Sequence, residues 1–313
     1  MKPTALYFDI MKYQEDNLQL LKDNFKIIVL NNPNENNKNI LNTIDVLFAP
    51  LGYYIGEEYM DNTPNLRAIV SNTTGIPHID ENVAINRGIE ICALNNEKEF
   101  LNTITPTAEH TVGMILAAHR RMIAAHNYVI SGKWDRRPWG VPTMLSRMSV
   151  GILGYGRLGK KVAKIMKSMG TNVNYFDPNV SGGVDTLDEL LVKSNILSIN
   201  AVVNDSTKGL INIDAMSIMP PNSIIVNTAR GEILDTDALL KLLKSGHIFS
   251  AALDTIDGEY QSNFESKFRK SRLLEYARNN DNLILTPHIG GSTVDAWFET
   301  ERRVIEKAIS IFR

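Results

Sequence analysis

A histidine near the C-terminus stands where α/β proteins keep their chemistry. The segment NLILTPHIGGST, residues 282–293, contains a strand-like run that stops at Pro287, and His288 follows directly. Open α/β sheets bind their ligands outside the carboxyl ends of the strands, and an imidazole can give or take a proton near neutral pH. His288 is therefore a candidate general acid/base, although an ordinary loop histidine would fit the same segment.

A glycine-rich loop supplies a second candidate site. In SVGILGYGRLGKKVAKIM an apolar strand leads into Gly154, Gly156 and Gly159 at GxGxxG spacing, and a basic helix follows. Gly154 would permit a tight turn, Gly156 a close approach of the backbone to a pyrophosphate, and Gly159 close packing of helix on strand. The N–H groups at the helix N-terminus would face the anion. The pattern predicts a dinucleotide site, and a glycine turn without a ligand is the alternative.

An acidic residue at the end of the next strand indicates which dinucleotide binds. The run NVNYFDP contains Asp177, 18 residues after Gly159 (177 − 159). A carboxylate at this distance accepts the ribose hydroxyls of NAD and would repel the 2′-phosphate of NADP. Pro178 and Asn179 follow and bring no compensating cation. We therefore expect NAD rather than NADP.

Two series of short β-rich runs must position these residues. The first series is TALYFDI, FKIIVLNNP, DVLFAP, LRAIVSN and IEICALN, and the second is SVGILG, NVNYFD, NILSIN, SIIVNT, IFSAALD and NLILTP. Because helix-length segments separate the runs, each series predicts an α/β domain with a doubly wound parallel sheet. The polar segment 31–39 is predicted to be a surface loop.

Two helices stand out beside the strands. Thr105 and Pro106 suit the N-cap and the first helical position, and they open one long predicted helix that continues to Ile130. The chain closes on an amphipathic helix that starts near Thr293, in which we expect Trp297 to pack in the core.

Composition excludes several classes of protein. The 313 residues suffice for two domains, and a net charge of −2 gives no bulk attraction to nucleic acid or an anionic membrane. We expect no signal peptide and no membrane span. Cys92 is the only cysteine, which rules out an internal disulfide and a thiolate zinc cluster and suggests a packed thiol. These features favour a cytoplasmic protein.

No metal site is expected. The histidines of the long predicted helix are His110, His119 and His126, and none pairs with another at the three- or four-residue spacing of a helical metal site.

The motifs of the chain resemble those of the D-isomer-specific 2-hydroxyacid dehydrogenases. The resemblance extends from LRAIVSNTTGIPHID to TPHIGGST and includes GILGYGRLG, SIIVNTARGEILDTDAL and AALDTIDGE, in the family's order and spacing. It implies a Rossmann NAD-binding domain, residues 102–288, inserted in a flavodoxin-like substrate-binding domain formed by residues 1–101 and 289–313.

The resemblance also implies roles for individual residues. Arg230 would bind the substrate, Glu259 would partner the histidine, and His288 would be the acid/base. The implied cofactor-binding residues lie around the strand ends of the second sheet: Gly154, Gly156, Arg157, Leu158, Gly159, Asp177, Ala201, Val202, Thr228, Ala229, Arg230, Asp254, His288 and Gly290. The implied substrate-binding residues are Leu51, Gly52, Thr74, Gly75, Arg230 and His288. A surface arginine, a solvated loop acid and plain βα turns are the alternatives.

The chain also departs from the family pattern. The loop APLGYYIG has no arginine of the kind that phosphoglycerate-type members carry, which weakens the case for a phosphorylated substrate. The proline usual after the acidic motif is absent from DGEYQSNF, and Asn200-Ala201-Val202 replaces the usual His-x-Pro. These changes leave the three implied catalytic residues in place.

The resemblance implies partners as well. The substrate would be a small 2-hydroxy acid or 2-keto acid, and two copies of the chain would pair as a homodimer through the cofactor domains and helix 106–126. In some relatives the loop that here reads WDRRPWG reaches the partner subunit's active site, so Trp139 is a further candidate, with a solvated loop as the alternative.

Two other functions remain open on the same scaffold. A non-catalytic NAD-sensing interaction protein would keep many of these residues, and a relative could oxidise a different hydride donor such as formate or phosphite. The leading hypothesis is an NAD-dependent 2-hydroxyacid dehydrogenase.

Overall fold

A computed structural model describes residues 2–35, 38–261 and 263–313, and the chain divides into two compact units. Unit 1 comprises Met1–Ile104 and Ser292–Arg313 together with the short segment Tyr260–Ser262. Unit 2 comprises Thr105–Glu259 and Asn263–Gly291. The polar segment 31–39 predicted as a surface loop includes two positions, 36 and 37, that lie outside the described residues.

Unit 1 is built on a five-stranded parallel sheet. Its strand order is β2-β1-β3-β4-β5, the flavodoxin-like order 2-1-3-4-5. The strands are β1 (Thr4–Phe8), β2 (Lys26–Leu30), β3 (Val46–Phe48), β4 (Ala68–Val70) and β5 (Glu90–Cys92). The helices of this unit are α1 (Glu15–Asn24), α2 (Lys38–Leu41), α3 (Glu57–Asp61), α4 (Glu81–Asn86), α5 (Lys98–Thr103) and the C-terminal α14 (Val294–Ile311).

The alternation of side chains along β1 separates two cores in unit 1. Tyr7 packs in a cluster with Val304 and Ile305 of α14, whereas Leu6 and Phe8 belong to a second cluster. Successive residues of a strand point to opposite faces, so the five-stranded sheet buries both of its faces.

Two sequence-based expectations are settled in this unit. Cys92 is buried, and burial raises the pKa of its thiol to about 11, which confirms the packed thiol. The prediction for Trp297 is wrong, because its side chain is 46% exposed. Trp297 lies in the first turn of α14, ahead of the buried stripe formed by Val304, Ile305 and Ala308.

Unit 2 contains a six-stranded parallel sheet of order β11-β10-β9-β8-β6-β7. Its strands are β6 (Ser149–Leu153), β7 (Asn172–Phe176), β8 (Ile196–Ile199), β9 (Ser223–Asn227), β10 (Ile248–Leu253) and β11 (Leu283–Leu285). Numbered within the unit, the order is 2-1-3-4-5-6 rather than the 3-2-1-4-5-6 common among dinucleotide-binding sheets. The direction of winding therefore reverses between β6 and β8, and a crevice for a ligand is expected at that point.

Helices cover both faces of the second sheet. They are α6 (Pro106–Arg120), α7 (Met122–Ile130), α8 (Arg157–Ser168), α9 (Leu187–Val192), α10 (Ile213–Ser217), α11 (Thr236–Ser245), α12 (Phe264–Phe268) and α13 (Arg272–Asn279). No helix in the described part of the chain has the length and apolar character that crossing a bilayer requires.

The single long helix predicted from Thr105 to Ile130 is wrong in one respect. The helix is interrupted at Arg121, whose φ of 48° is left-handed, and this residue separates α6 from α7. Contacts of the side chain hold the break: the guanidinium lies 5.6 Å from the ring centroid of Trp139, and Nη2 lies 3.7 Å from the carboxylate of Asp281. Apolar periodicity continues through the break and so did not reveal it.

Candidate active site

The three glycines of the loop after β6 have distinct steric surroundings. Gly154 has a φ of 88°, and a Cβ added there would lie 2.6 Å from the Cα of Ala201. A Cβ on Gly159 would lie 2.1 Å from the carbonyl oxygen of Gly154, so helix α8 packs directly on the turn. A Cβ on Gly156 would meet no atom within 4 Å. The loop is therefore tight at its two ends and open at Gly156, as an approaching pyrophosphate requires.

Asp177 ties the glycine loop to the end of β7. Its Oδ2 accepts the backbone N–H of Tyr155 at 2.8 Å, and its Oδ1 accepts the N–H of Asn179 at 2.9 Å. The rings of Tyr155 and Tyr175 stack with centroids 3.6 Å apart. Each carboxylate oxygen can accept more than one hydrogen bond, so the carboxylate keeps acceptor capacity for ribose hydroxyls.

A cation stands at the start of helix α8, beside the open glycine. Arg157 is the first residue of the helix and is half-buried, and burial lowers the pKa of its guanidinium. The helix N-terminus, the open backbone at Gly156 and this cation together fit the anionic pyrophosphate of a dinucleotide. The loop after β8 adds Ala201 and the exposed Val202 beside the turn at Gly154.

Three neighbouring strands carry the implied catalytic residues. The register places Leu253 of β10 beside Asn227 of β9 and beside Leu285 of β11, so these three strands end level with one another. Arg230 follows β9, Glu259 follows β10 and His288 follows β11. All three lie beyond the same carboxyl edge of the sheet of unit 2, as strand-end chemistry requires.

His288 and Glu259 form a direct pair. Nδ1 of His288 lies 2.8 Å from Oε1 of Glu259, and the two side chains are 29% and 13% exposed. Since a carboxylate at this distance can only accept, the geometry places a proton on Nδ1. Nε2 is then the ring atom for exchanging a proton with a ligand. The backbone of His288 is left-handed, with a φ of 52°, which is uncommon for any residue other than glycine.

A buried amide, missed by sequence reasoning, fixes the turn that carries Arg230. The side chain of Asn227 is fully buried, accepts the N–H of Ala229 at 3.0 Å and donates to the carbonyl oxygen of Arg230 at 2.8 Å. Nη1 of Arg230 donates to the carbonyl oxygen of Ala229 at 2.7 Å. The only hint in the sequence was an Asn at the end of an apolar strand, a residue type that competes for backbone hydrogen bonds at turns.

Close packing joins the turn of Arg230 to the loop of Glu259. A Cβ added to Gly231 would lie 2.1 Å from the backbone N of Asp257 and 2.1 Å from the carbonyl carbon of Ile256. Only a residue without a side chain allows the two backbones to approach so closely. Gly231 therefore sets the distance between the segments that carry Arg230 and Glu259.

Asp254 lies beneath the histidine segment. Its side chain is 1% exposed, and its carboxylate accepts N–H groups from Ile289 at 2.9 Å and Gly290 at 2.8 Å. Thr286 Oγ1 donates to it at 2.5 Å. The cofactor contact expected of Asp254 stays a prediction, and the same is true of Thr228, Ala229 and Gly290. The three groups that donate to this carboxylate, from Thr286, Ile289 and Gly290, all belong to unit 2.

The implied substrate loops of unit 1 follow two adjacent strands. Leu51 and Gly52 come after β3, and Thr74 and Gly75 come after β4. Gly52 has a φ of 93° and open space around it, so its backbone can be approached closely. Both loops lie beyond the same edge of the first sheet.

A buried histidine, also missed by sequence reasoning, supports the second of these loops. Nε2 of His78 lies 3.1 Å from Ser71 Oγ, which lies 2.8 Å from Thr73 Oγ1, and Thr73 Oγ1 donates to the carbonyl oxygen of Gly75 at 2.7 Å. Burial lowers the pKa of His78 to about 4, so the ring is neutral at physiological pH. The chain of hydrogen bonds holds the backbone around Thr74 and Gly75.

One further candidate has a plain structural setting. Trp139 packs edge-on against Tyr128 with ring centroids 5.5 Å apart, in addition to its contact with Arg121. Among the described residues, no group of three His, Cys, Asp or Glu side chains is arranged to hold a metal ion.

The chain is similar to several known proteins. Residues 112–290 match the family model described as D-isomer specific 2-hydroxyacid dehydrogenase, NAD binding domain. A glyoxylate reductase from Thermofilum pendens is 34% identical over 80% of this chain and 74% of its own. One from Pyrococcus furiosus is 29% identical over 95% of this chain and 88% of its own. The crystal structure of a D-lactate dehydrogenase from Aquifex aeolicus, complexed with NAD and lactic acid, superposes with a TM-score of 0.80 at 25% identity, covering 99% of this chain and 93% of that one.

Substitution of Gly231 tests the close packing between the two site segments. We expect Gly231→Ala to lower the free energy of unfolding by about 1–3 kcal/mol, because the added methyl must push two backbones apart. Thermal or urea unfolding measures the effect. Gly113→Ala is the matched control: Gly113 lies in α6 with no atom within 4 Å of an added Cβ, so the change should be neutral or stabilising by about 0.5–1 kcal/mol. Equal stability of the two variants would contradict the packing.

Proposed function

The chain belongs to the D-isomer specific 2-hydroxyacid dehydrogenase family and is an NAD-dependent enzyme of that family, and we propose that it interconverts a small D-2-hydroxy acid and its 2-keto acid. In this proposal His288 is the acid/base, Glu259 is its partner and Arg230 binds the substrate. The observation that carries the proposal is the His288–Glu259 pair, 2.8 Å apart, beside the level ends of three strands.

The pair suits proton transfer at an alcohol oxygen. In the oxidising direction the hydroxyl proton passes to Nε2 of His288 while the substrate carbon loses hydride. Glu259 holds Nδ1–H, keeps the ring oriented and balances the positive charge that the imidazolium gains. In the reducing direction Nε2–H returns the proton to the carbonyl oxygen. NAD, when bound, accepts or supplies the hydride.

Arg230 provides the complementary charge. A guanidinium has five N–H donors in a planar fork that matches a carboxylate, and it can polarise a keto oxygen at the same time. One donor, on Nη1, goes to the carbonyl oxygen of Ala229, which anchors the fork to its own turn. Anchoring limits the rotamer entropy lost when a substrate binds.

The proposed cofactor contacts extend from the glycine loop along the strand ends. Gly156, Arg157 and Leu158 would meet the pyrophosphate at the start of α8, and Asp177 would accept the ribose hydroxyls. Ala201, Val202, Thr228 and Ala229, after β8 and β9, would line the crevice from the glycine loop toward the nicotinamide end. Asp254, His288 and Gly290 would lie at the nicotinamide end.

The substrate is proposed to be small and unphosphorylated. Amide groups near Leu51, Gly52, Thr74 and Gly75 would bind its carboxylate, helped by the open backbone at Gly52. The loop APLGYYIG contains no cation to meet a phosphate. Relatives named for glyoxylate and for D-lactate suggest glyoxylate and pyruvate as the first compounds to test.

A homodimer is part of the proposal. Apolar side chains on α7 and the following loop are exposed, among them Met122, Ile123, Ile130 (69% exposed) and Trp134 (90% exposed). Four residues of one stretch that keep large apolar groups in water mark an interaction surface. The net charge of −2 supports no nucleic-acid partner, and a single buried cysteine is consistent with the proposed cytoplasmic location.

Turnover tests the acid/base assignment. Purified protein with NADH and glyoxylate, pyruvate, hydroxypyruvate, branched or aromatic 2-keto acids should consume NADH. His288→Ala should lower kcat by at least about 10²-fold, because a positioned acid/base contributes 10²–10⁴, while the Kd for NADH changes little. Arg230→Ala should mainly weaken 2-keto acid use.

His247→Ala is the control for that experiment. His247 precedes β10, at the opposite end of the sheet, and its Nε2 lies 3.2 Å from the carbonyl oxygen of Met216. It should turn over like the native chain. Native turnover by His288→Ala would end the mechanism, and NADH binding without turnover of any compound would favour a sensor.

Cofactor preference tests Asp177. NADH should bind at least about tenfold more tightly than NADPH, a difference of 1.4 kcal/mol, because the carboxylate repels a 2′-phosphate. Asp177→Asn should narrow the difference, and Asp214→Asn, at an exposed position of α10, should leave it unchanged. Tighter binding of NADPH by the native chain, measured by fluorescence titration, would overturn the assignment.

Light scattering tests the homodimer. The native chain should elute at twice its mass of 35.0 kDa, and Ile130→Asp should shift it toward the monomer by placing a charge in the apolar surface. Ile85→Asp, at an exposed apolar position of unit 1, is the matched control and should remain dimeric. A monomeric native chain at micromolar concentration would rule the dimer out.

A further inference from the structure

The first residue beyond each of the three catalytic strands forms a row that we call the strand-end row: Thr228, Asp254 and Thr286. The backbone joins its members to the strands, since Asp254 N–H donates to the carbonyl oxygen of Asn227 at 2.9 Å and Thr286 N–H donates to that of Leu253 at 3.0 Å. Each member directly precedes the segment that carries Arg230, Glu259 or His288. Contacts that hold these three residues in place therefore also hold the start of the segments that carry Arg230, Glu259 and His288.

Helix α6 reaches the strand-end row from the side with two consecutive residues. Thr111 Oγ1 lies 2.7 Å from Thr228 Oγ1 and also donates to the carbonyl oxygen of Thr107. His110 Nε2 lies 3.3 Å from Asp254 Oδ1 and 3.3 Å from Thr286 Oγ1. One turn of α6 therefore touches all three members of the row.

The hydrogen-bond arrangement determines which atom of His110 carries a proton. Thr286 Oγ1 gives its proton to Asp254 Oδ1 at 2.5 Å, so the threonine oxygen can only accept from His110. The carboxylate of Asp254 can likewise only accept. Nε2 of His110 must therefore be an N–H donor that points between two acceptors, since a bare nitrogen lone pair there would face two oxygens.

Nε2–H of His110 faces the carboxylate of Asp254, which also binds the segment that carries His288. Ile289 and Gly290 donate their N–H groups to Asp254, and the N–H of His288 donates to the backbone carbonyl of Asp254 at 2.8 Å. A Cβ on Gly290 would lie 2.9 Å from Asp254 Oδ2, so the fit leaves no slack. These hydrogen bonds hold His288 in its left-handed backbone conformation, which is unfavourable for a non-glycine residue without such support.

We infer that His110 is a positioning residue, which through Asp254 and Thr286 holds the backbone of His288 so that its ring stays aimed at Glu259. The buried carboxylate needs all of its donors, because an acceptor left unpaired away from water is destabilised and seeks another partner. Without His110 the Asp254 side chain and Thr286 can turn, and the segment 286–290 turns with them.

The inference rests on the proposed function for its kinetic test but not for its spectroscopic one. His110→Phe keeps a ring and removes the donor, whereas His110→Gln keeps a side-chain N–H. His247→Phe is the matched control, since His247 precedes β10 at the opposite end of the sheet from the segments that carry Arg230, Glu259 and His288. Measurements are kcat and KM with the best 2-keto acid, the Kd for NADH, and the ring Cε1–H proton resonances of the six histidines. Loss of a signal in His288→Ala assigns the resonance of His288.

The positioning role predicts a specific pattern. His110→Phe should lower kcat by about 10- to 100-fold, as expected when a reacting group is misplaced by up to 1 Å. The Kd for NADH should stay close to the native value, and the melting temperature should fall by a few degrees because a buried acceptor loses a donor. The His288 resonance should shift or split. His110→Gln should recover a large part of kcat and the native resonance, and His247→Phe should change neither.

Other outcomes overturn the inference. Native kcat and a native His288 resonance in His110→Phe would do so, as would equal losses in His110→Phe and His110→Gln. If His110→Phe does not fold, Thr286→Val and Thr286→Ser replace it: the serine variant should keep kcat and the resonance, and the valine variant should lose both. If the native chain reduces no 2-keto acid, the proposed function fails, and the resonance of His288 alone decides the role of His110.

Discussion

The candidate active site depends on one buried carboxylate. Asp254 follows β10, the middle strand of three; it accepts donors from the segment after β11, and its Oδ1 lies 3.3 Å from Nε2 of His110 on helix α6. A carboxylate withdrawn from water is tolerable only when its oxygens are fully hydrogen-bonded, so the chain around it has few alternatives. The left-handed backbone at His288 and the absence of a side chain at Gly290 both follow from this requirement.

In the proposed mechanism, Glu259 and the buried Asp254 would have separate electrostatic roles. The side chain of Glu259 is 13% exposed and lies beside the ring of His288, where its carboxylate would stabilise the positive charge that the ring gains in the proposed proton transfer. Asp254, 1% exposed, accepts N–H groups from the backbone of the same segment rather than from the ring of His288. Asp254 would orient the backbone of the segment, and Glu259 would balance the charge on the ring. Both effects contribute to a preorganised site.

Much of the fold was predictable because its signals are local. Eleven short β-rich runs were visible as apolar stretches that end in Asn, Pro, Asp or Gly, and each contains a strand. The glycine loop was predictable because its spacing is set by steric contacts at Gly154 and Gly159. The break at Arg121 was not, because it depends on Trp139 and Asp281, and contacts so distant in sequence leave no periodic trace. His110 escaped for the same reason, because it meets Thr286 across 176 residues. Asn227 escaped although its partners, Ala229 and Arg230, are local, because an Asn at the end of a strand is common at turns of every kind.

The strand order explains how one sheet can serve both ends of a dinucleotide. Asp177 follows β7 at one edge, His288 follows β11 at the other, and the glycine loop follows β6 next to the Asp177 edge. Five strand spacings of about 4.8 Å separate the two edges, roughly 24 Å in all. A dinucleotide bound as proposed, with its pyrophosphate at Gly156, would have one short arm toward Asp177 and a longer path across β8 and β9 toward Arg230 and His288. The reversal of winding between β6 and β8 opens the crevice at the start of that longer path. A catalytic group placed near β7 would compete with the ribose for the same edge, so the proposed chemistry after β9, β10 and β11 suits this strand order.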